Sequence, residues 1–316
     1  VLFAKLINRS ELSGKYSQMQ DSNKKRVGVI GGSRGLGSWL VKFFTENGYS
    51  VLFSSADEYS QVADNRSLLE QSDVIFIAVP IGAMCTVLSE IYPYASGKTI
   101  VEICSVKKFI IEHYKQLQAQ YPEVQADFLS IHPMFSPMLR HLKGQVVLFN
   151  YLIGSHLWET ELRQLLTAHQ ARCFDMDYLH HDEVMGVVQG LNHFNVFASA
   201  KTLNTLGKQL GIIRDVSSPP YRIFLIFFSR YVLQDAGLYA DIQMYNEFVP
   251  KVLDIFRREV EALYQLIIQK DRQGFLDYVQ AARGYFLENS EDIGISNHLI
   301  EQLGAYLNKL KNNPRS

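Results

Sequence analysis

Short blocks of consecutive apolar residues, each closed by glycine, proline or polar positions, recur through the first half of the chain. Val27-Gly28-Val29-Ile30, Val51-Leu52-Phe53, Val74 to Val79, Thr99 to Ile103, Phe128 to Ile131 and Val146 to Phe149 are such blocks. Runs of this length predict strands buried on both faces, as in a parallel sheet. Between them the apolar positions change to helical spacing. Ser38 to Asn47 carries Leu40, Val41, Phe43 and Phe44 with Gly48 behind it, which predicts a helix closed by a glycine. Strands and helices alternating at this rhythm give an α/β domain, a doubly wound parallel sheet of the Rossmann type, over residues 26–173. Residues 1–25 form a polar tail, with a short helix expected at Val1 to Ile7.

The strand pattern stops after Asp182, and residues 174–311 are expected to form an all-helical domain. Val184, Val187, Val188, Leu191, Phe194 and Ala198 follow helical spacing, as do Val252, Phe256, Val260, Leu263 and Ile267. Ser217-Ser218-Pro219-Pro220 is a helix start in which Ser218 can cap and Pro219 can occupy the first turn. The next stretch, Ile223 to Phe228, is apolar throughout and must be buried, within its own subunit or against a partner. A homodimer built through the helical domain is the expectation.

Composition narrows the class. Hydrophobic residues at 47% and charged residues at 20% of 316 describe a folded chain with room for two domains. A net charge of −1 gives no reason to expect nucleic acid or an anionic membrane as partner. Cys85, Cys104 and Cys173 are too few and too far apart for a zinc site or a disulfide scaffold, so free thiols and no metal are expected. No apolar run reaches the roughly 18 residues of a membrane helix, and a cytoplasmic protein acting on a small-molecule substrate is expected.

Two segments carry chemistry. Gly32-Ser33-Arg34-Gly35-Leu36-Gly37 follows a strand and opens a helix, the setting in which a glycine-rich loop cradles a pyrophosphate. Arg34 occupies the position of the usual second glycine. The second strand ends in Ser54 and Ser55 where an acid normally binds the ribose, and Asp57 comes two or three places late. Two hydroxyls and Arg34 can receive a 2′-phosphate, so NAD and NADP both stay open. Ser105 and Lys107 follow one strand and His132 follows another, which places all three at the carboxyl edge of the sheet. A hydroxyl, an ammonium and an imidazole converging there suit oxidation of an alcohol carbon, with the imidazole receiving the hydroxyl proton. In the helical half, Gln189 and His193 are four residues apart on one helix face, with Gly186 and Gly190 offering close approach. Arg230 closely follows the apolar run, so its charge needs a partner there. Arg222 can bind substrate or brace the helix start.

These residues resemble a family. Gly31 to Gly37, Ala78-Val79-Pro80, Cys104 to Lys107, His132-Pro133-Met134-Phe135, His181-Asp182, His193 and Ser217 to Arg222 with Arg230 are similar, in order, to the prephenate dehydrogenases of tyrosine biosynthesis. The nearest likeness is to the dehydrogenase half of the chorismate mutase–prephenate dehydrogenases. The residues before Arg26 are too few for the mutase domain of that branch, and mutase activity is not expected of this chain. The resemblance implies NAD(P)-dependent oxidative decarboxylation of prephenate, or the same reaction on arogenate or a related cyclohexadienyl substrate; the alternative of another class is a nucleotide-binding partner protein without turnover. It implies that His132 accepts the ring hydroxyl's hydrogen bond, that Ser105 orients His132 beside the nicotinamide, and that Lys107 supports that end of the site. It further implies that Arg230 holds the ring carboxylate, that His193 lies near the substrate, and that Val79 and Pro80 flank the cofactor with the glycine loop. Ser136 stands where those relatives carry glycine, a strained position if the backbone there takes a positive φ.

Overall fold

The computed structural model describes residues 24–150, 158–287 and 291–312. The helix expected at Val1 to Ile7 lies outside the described residues. Contacts divide the chain into two compact units, Val1–Asp182 and Glu183–Ser316.

The first unit is a seven-stranded sheet: β1 (Val27–Ile30), β2 (Val51–Ser54), β3 (Val74–Ile77), β4 (Thr99–Glu102), β5 (Asp127–Pro133), β6 (Val146–Asn150) and β7 (Arg172–Asp175). Their order across the sheet is β2-β1-β3-β4-β5-β6-β7. Five helices alternate with them: α1 (Gly35–Glu46), α2 (Asn65–Gln71), α3 (Met84–Ile91), α4 (Lys108–Gln120) and α5 (Glu159–Ala168). Every residue of β1, β3 and β4 is buried, as two-sided apolar runs require. On one face Phe44 of α1 packs against Tyr49, Phe76 of β3 and Trp158, with ring centroids 5.3, 5.1 and 5.7 Å away. Rings of this size remove much apolar surface from water and fix the helix on the sheet.

One strand departs from the parallel pattern. β6 pairs antiparallel with β5, with His132 opposite Leu148. Residues 134–145 contain no helix, and a parallel return needs a crossover. The apolar run Val146 to Phe149 reads the same in either direction, so its sequence carried no sign of this. After β7 comes α6 (Tyr178–Met185). The expected domain boundary at 173/174 precedes this helix, whereas the contact boundary follows Asp182, because His181 and Asp182 bond to residues of the first unit.

The second unit takes in the end of α6, passes into a π-helical segment, Gly186–Leu191, and continues as α7 (Asn192–Thr205), α8 (Leu210–Asp215), α9 (Pro219–Val232), α10 (Ala236–Tyr245), α11 (Val249–Ile268), α12 (Arg272–Leu287) and α13 (Asp292–Asn312). The wider π turn packs tightly: a Cβ on Gly190 would stand 2.6 Å from Val249 Cγ2, and Gln243 Nε2 donates to the Gly190 carbonyl at 2.9 Å. Pro219 opens α9 as expected, but Ser218 makes no side-chain capping bond. The apolar run of α9 is not buried all round within the chain. Leu225 is, whereas Phe224, Ile226 and Phe227 are 42–56% exposed. Val260 and Ile267 of α11 are exposed as well. No helix among the described residues is long and apolar enough to cross a membrane.

Candidate functional site

Strand order reverses at β1, since the chain passes outward to β2 and then returns to β3 on the other side. Loops leaving the carboxyl ends of β1 and β3 therefore diverge and open a crevice. Gly31 to Gly37 fills that position. The Gly31 and Gly32 amides donate to the Ser54 carbonyl at 2.9 and 3.1 Å, which folds the loop back onto β2. Gly35 takes a positive φ of 56°, and Gly37 lies so close to the turn that a Cβ would meet the Gly31 carbonyl oxygen at 2.0 Å. No side chain caps the start of α1, so its first-turn amides face the crevice at the positive end of the helix dipole. A backbone this close-packed, with amides at a helix start, fits a pyrophosphate. Leu36 packs against the core, Val79 stands beside Gly31, and Pro80 is exposed next to it.

The serines at the end of β2 have separate roles. Ser54 is buried and its hydroxyl donates to Asn65 Oδ1 at 2.7 Å, so it does not line a cofactor site as expected. Ser55 donates to Asp57, and Ser33 of the glycine loop donates to the other oxygen of Asp57 at 2.7 Å. Those two hydrogen bonds, Ser55 first, hold the Asp57 carboxyl below its usual range, with Arg34 adding to the effect. An acid therefore does meet the glycine loop. Asp57 arrives late in the sequence for such an acid, and the turn after Ser55 brings it back.

At the end of β4 the chain carries a buried charge. Glu102 and Lys107 are both fully buried, and the ammonium donates to Glu102 Oε1 at 2.7 Å. Ser130, the partner of Glu102 on β5, donates to the same carboxylate oxygen, and the Cys104 amide donates to the other at 2.7 Å. Lys107 Nζ also donates to the Ile131 carbonyl at 2.7 Å. Lys107, expected as a catalytic group, instead fixes the backbone next to His132 from inside the fold. Cys104 is a free thiol, and its pKa is pushed up to about 12, chiefly by burial.

His132 is 2% exposed, and its Nδ1 lies 2.9 Å from His181 Nε2. His181 Nδ1 lies 2.8 Å from Asp182 Oδ1. The Asp182 carboxylate also accepts the Lys107 amide at 2.9 and 3.1 Å and the Lys108 amide at 2.8 Å, where α4 begins. Burial, then His181 and Lys107, holds the His132 pKa well below the usual 6.5. Burial also lowers His181, against an opposing pull from Asp182. Ser105 is half-buried and makes no hydrogen bond among the described residues. The bond described at His132 Nδ1 is the one with His181. His181-Asp182 matches the family pattern, but two adjacent polar residues on a helix do not reveal a contact with a strand 49 positions earlier. Ser136 does not take a positive φ, and its hydroxyl accepts the Met138 amide in a turn, so serine costs nothing there.

In the second unit, His193 is 5% exposed between the rings of Tyr231 and Tyr239, at 5.2 and 4.8 Å. Burial lowers its pKa to about 4, and its Nδ1 has no hydrogen-bond partner. Gln189 lies in the π-helical segment and is half-buried. Arg222 lines a shallow cavity with Arg214, Leu225, Ile226 and Ser229, and its buried Nη1 has no partner. Arg230, in the last turn of α9, is exposed and makes no ion pair among the described residues.

Comparison with known proteins gives this arrangement its family. Residues 55–147 match the nucleotide-binding domain of prephenate dehydrogenase, and residues 178–281 match its dimerization domain. A probable arogenate/prephenate dehydrogenase of Methanocaldococcus jannaschii is 27% identical over 280 residues, covering 82% of this chain and 60% of that protein. The chain thus spans about 60% of the length of that relative. The T-protein of Haemophilus influenzae is 27% identical over 284 residues, covering 89% of this chain and 73% of that one. The prephenate dehydrogenase of A. aeolicus, solved with hydroxyphenyl propionate and NAD+, superposes with a TM-score of 0.66 at 17% identity, over 86% of this chain and all of that one. The chain belongs to the prephenate dehydrogenase family.

Removing one partner of a buried ion pair leaves the other charge uncompensated, at a cost of about 3–5 kcal/mol. Lys107→Met is expected to lose stability of that order in urea titrations. Lys107→Met combined with Glu102→Gln should recover part of the loss, because no net charge is then left buried.

Proposed function

We propose that the protein is an NAD-dependent dehydrogenase that converts prephenate to 4-hydroxyphenylpyruvate with loss of CO2. The observation that carries this reading is a buried imidazole, His132, whose charged form burial disfavours, at the carboxyl edge of the sheet that also presents the glycine loop. Family membership supplies the substrate class. The loop amides and the start of α1 would hold the pyrophosphate, and Asp57 the ribose. When bound, the oxidised nicotinamide supplies the acceptor for the hydrogen and electron pair leaving the carbinol carbon.

His132 accepts the hydrogen bond of the ring hydroxyl and stabilises the positive charge that grows on the oxygen-bearing carbon. Arg230 grips the ring carboxylate, a role that suits an exposed guanidinium with no ion pair among the described residues. Breaking the carbon–carboxylate bond returns its electron pair to the ring, which becomes a phenol. The substrate dianion gives a monoanion, CO2 and the transferred hydrogen with its electron pair, so no net proton is released. The phenol keeps its hydrogen. His193, with its unpaired Nδ1, is the second-unit group suited to the polar side chain of the substrate.

The chain works as a homodimer through its second unit, in which a second copy covers the apolar side chains of α9 and α11. Support comes from the exposure of Phe224, Ile226, Phe227, Val260 and Ile267 and from the family description of this region.

Prephenate and NAD together should raise the absorbance of reduced nicotinamide; no signal with prephenate or arogenate, with NAD or NADP, overturns the reading. His132→Asn is expected to lower kcat by roughly 10²–10⁴-fold. Arg230→Gln should raise KM by roughly 10- to 100-fold through loss of a charged pair.

Because His132 is held below 6.5, the neutral form persists as pH falls through that value. The acid limb of kcat/KM is expected below pH 6.5, and a limb at or above it would contradict the neutral-base assignment.

Asp57 places a carboxylate where NADP carries its 2′-phosphate, and like charges brought together there disfavour binding. Asp57→Ser should shift the ratio of NADP to NAD dissociation constants toward NADP by at least about tenfold. Calorimetric titration measures this without turnover.

A further inference from the structure

We propose that His181 and Asp182 set the tautomer of His132, making His181 a positioning residue that leaves the lone pair of His132 on Nε2. This proposal rests on the reading of His132 as the hydrogen-bond acceptor of the reaction.

The logic follows from which atoms can donate. The Asp182 carboxylate already receives the amides of Lys107 and Lys108, so it acts as an acceptor and His181 Nδ1 must bring a hydrogen to it. A neutral His181 then has a bare Nε2. The only hydrogen that can join it to His132 is one on His132 Nδ1, 2.9 Å away. A neutral His132 protonated on Nδ1 has its lone pair on Nε2. Free imidazole side chains divide between the two tautomers, and the wrong one would offer the substrate hydroxyl an N–H instead of an acceptor. Both rings are buried, and the Lys107 ammonium, held by Glu102, opposes a second positive charge on either. Asp182 gains from the start of α4, whose dipole favours a carboxylate at that place. The arrangement runs from a helix terminus through two imidazoles to a strand end, and each bond dictates the next.

The test reads the tautomer directly. In the full chain labelled with ¹⁵N-histidine, long-range proton–nitrogen spectra assign the protonated nitrogen of each ring. The wild-type spectrum should show His132 protonated on Nδ1 and bare on Nε2. In His181→Leu that preference should be lost. kcat should fall by roughly 10²–10⁴-fold, while KM and the dissociation constant for NAD stay within about twofold of wild type, below 0.5 kcal/mol. His181→Gln can present Oε1 near the former Nε2 and accept the same hydrogen, so it should restore the tautomer and most of kcat, which a merely structural role would not predict. A wild-type His132 protonated on Nε2 overturns the proposal, as does a His181→Leu variant with wild-type kcat. The wild-type spectrum requires no variant to fold. A protein with the expected tautomer but no turnover on any cyclohexadienyl substrate would overturn the proposed function and leave the tautomer assignment standing.

Discussion

Glu102 is a fully buried carboxylate at the end of a central parallel strand, and the carboxyl edge of the sheet is organised around compensating it. An ionised carboxylate in such surroundings is tolerated only when paired and hydrogen-bonded. Lys107 returns from five residues on to supply the charge, while Ser130 and the Cys104 amide occupy the remaining oxygen positions. The same ammonium holds the carbonyl of Ile131, immediately before His132. Compensation of one charge thereby fixes the loop between β4 and α4, the end of β5, and the backbone that carries the imidazole. Hydrophobic packing places the strands, but this pair determines where their polar ends stop.

The depressed basicity of His132 matches the proposed reaction. A strong base would retain the hydroxyl proton, yet the overall change releases none. The product phenol has a pKa of about 10, far above an imidazole held below 6.5. A weak, well-oriented acceptor can assist while positive charge develops on the ring and then give up its claim as the ring becomes aromatic. Burial, which lowers the pKa, and the bond to His181, which orients the ring, serve that same end.

Much of the fold was legible because buried parallel strands write themselves as continuous apolar runs, and all of the predicted strands are present. The direction of β6 was not legible, since direction depends on the connection and not on the strand. The site divides in a similar way. The glycine loop could be found because it follows a strand directly, and His132 because it lies at the carboxyl end of one. Lys107 was found for the wrong reason: its position beside the site is real, but only the burial of Glu102 shows that its ammonium points inward. His181, Asp182 and Asp57 act through contacts with segments far away in sequence, which no local pattern encodes. Ser54 failed as a cofactor residue because its last-strand position turned inward, toward Asn65. A one-residue change of face is enough to exchange Ser54 for its neighbour Ser55.

The two units also differ in how their polar groups are satisfied. Around His132 the first unit shows a connected chain of bonds, from Glu102 and Lys107 to Asp182, His181 and the imidazole. The second unit holds candidate groups that are not paired: the buried Nδ1 of His193, the buried Nη1 of Arg222 and the exposed guanidinium of Arg230. A buried polar atom without a partner costs about 1–3 kcal/mol, a penalty that a ligand can offset on binding. Acidic substrates are suited to such groups, because arginine carries a permanent charge for a carboxylate and the histidine adds a directional bond. The first unit therefore holds the His132 imidazole rigidly within a connected set of bonds, whereas the second leaves buried polar atoms without a partner among its described residues.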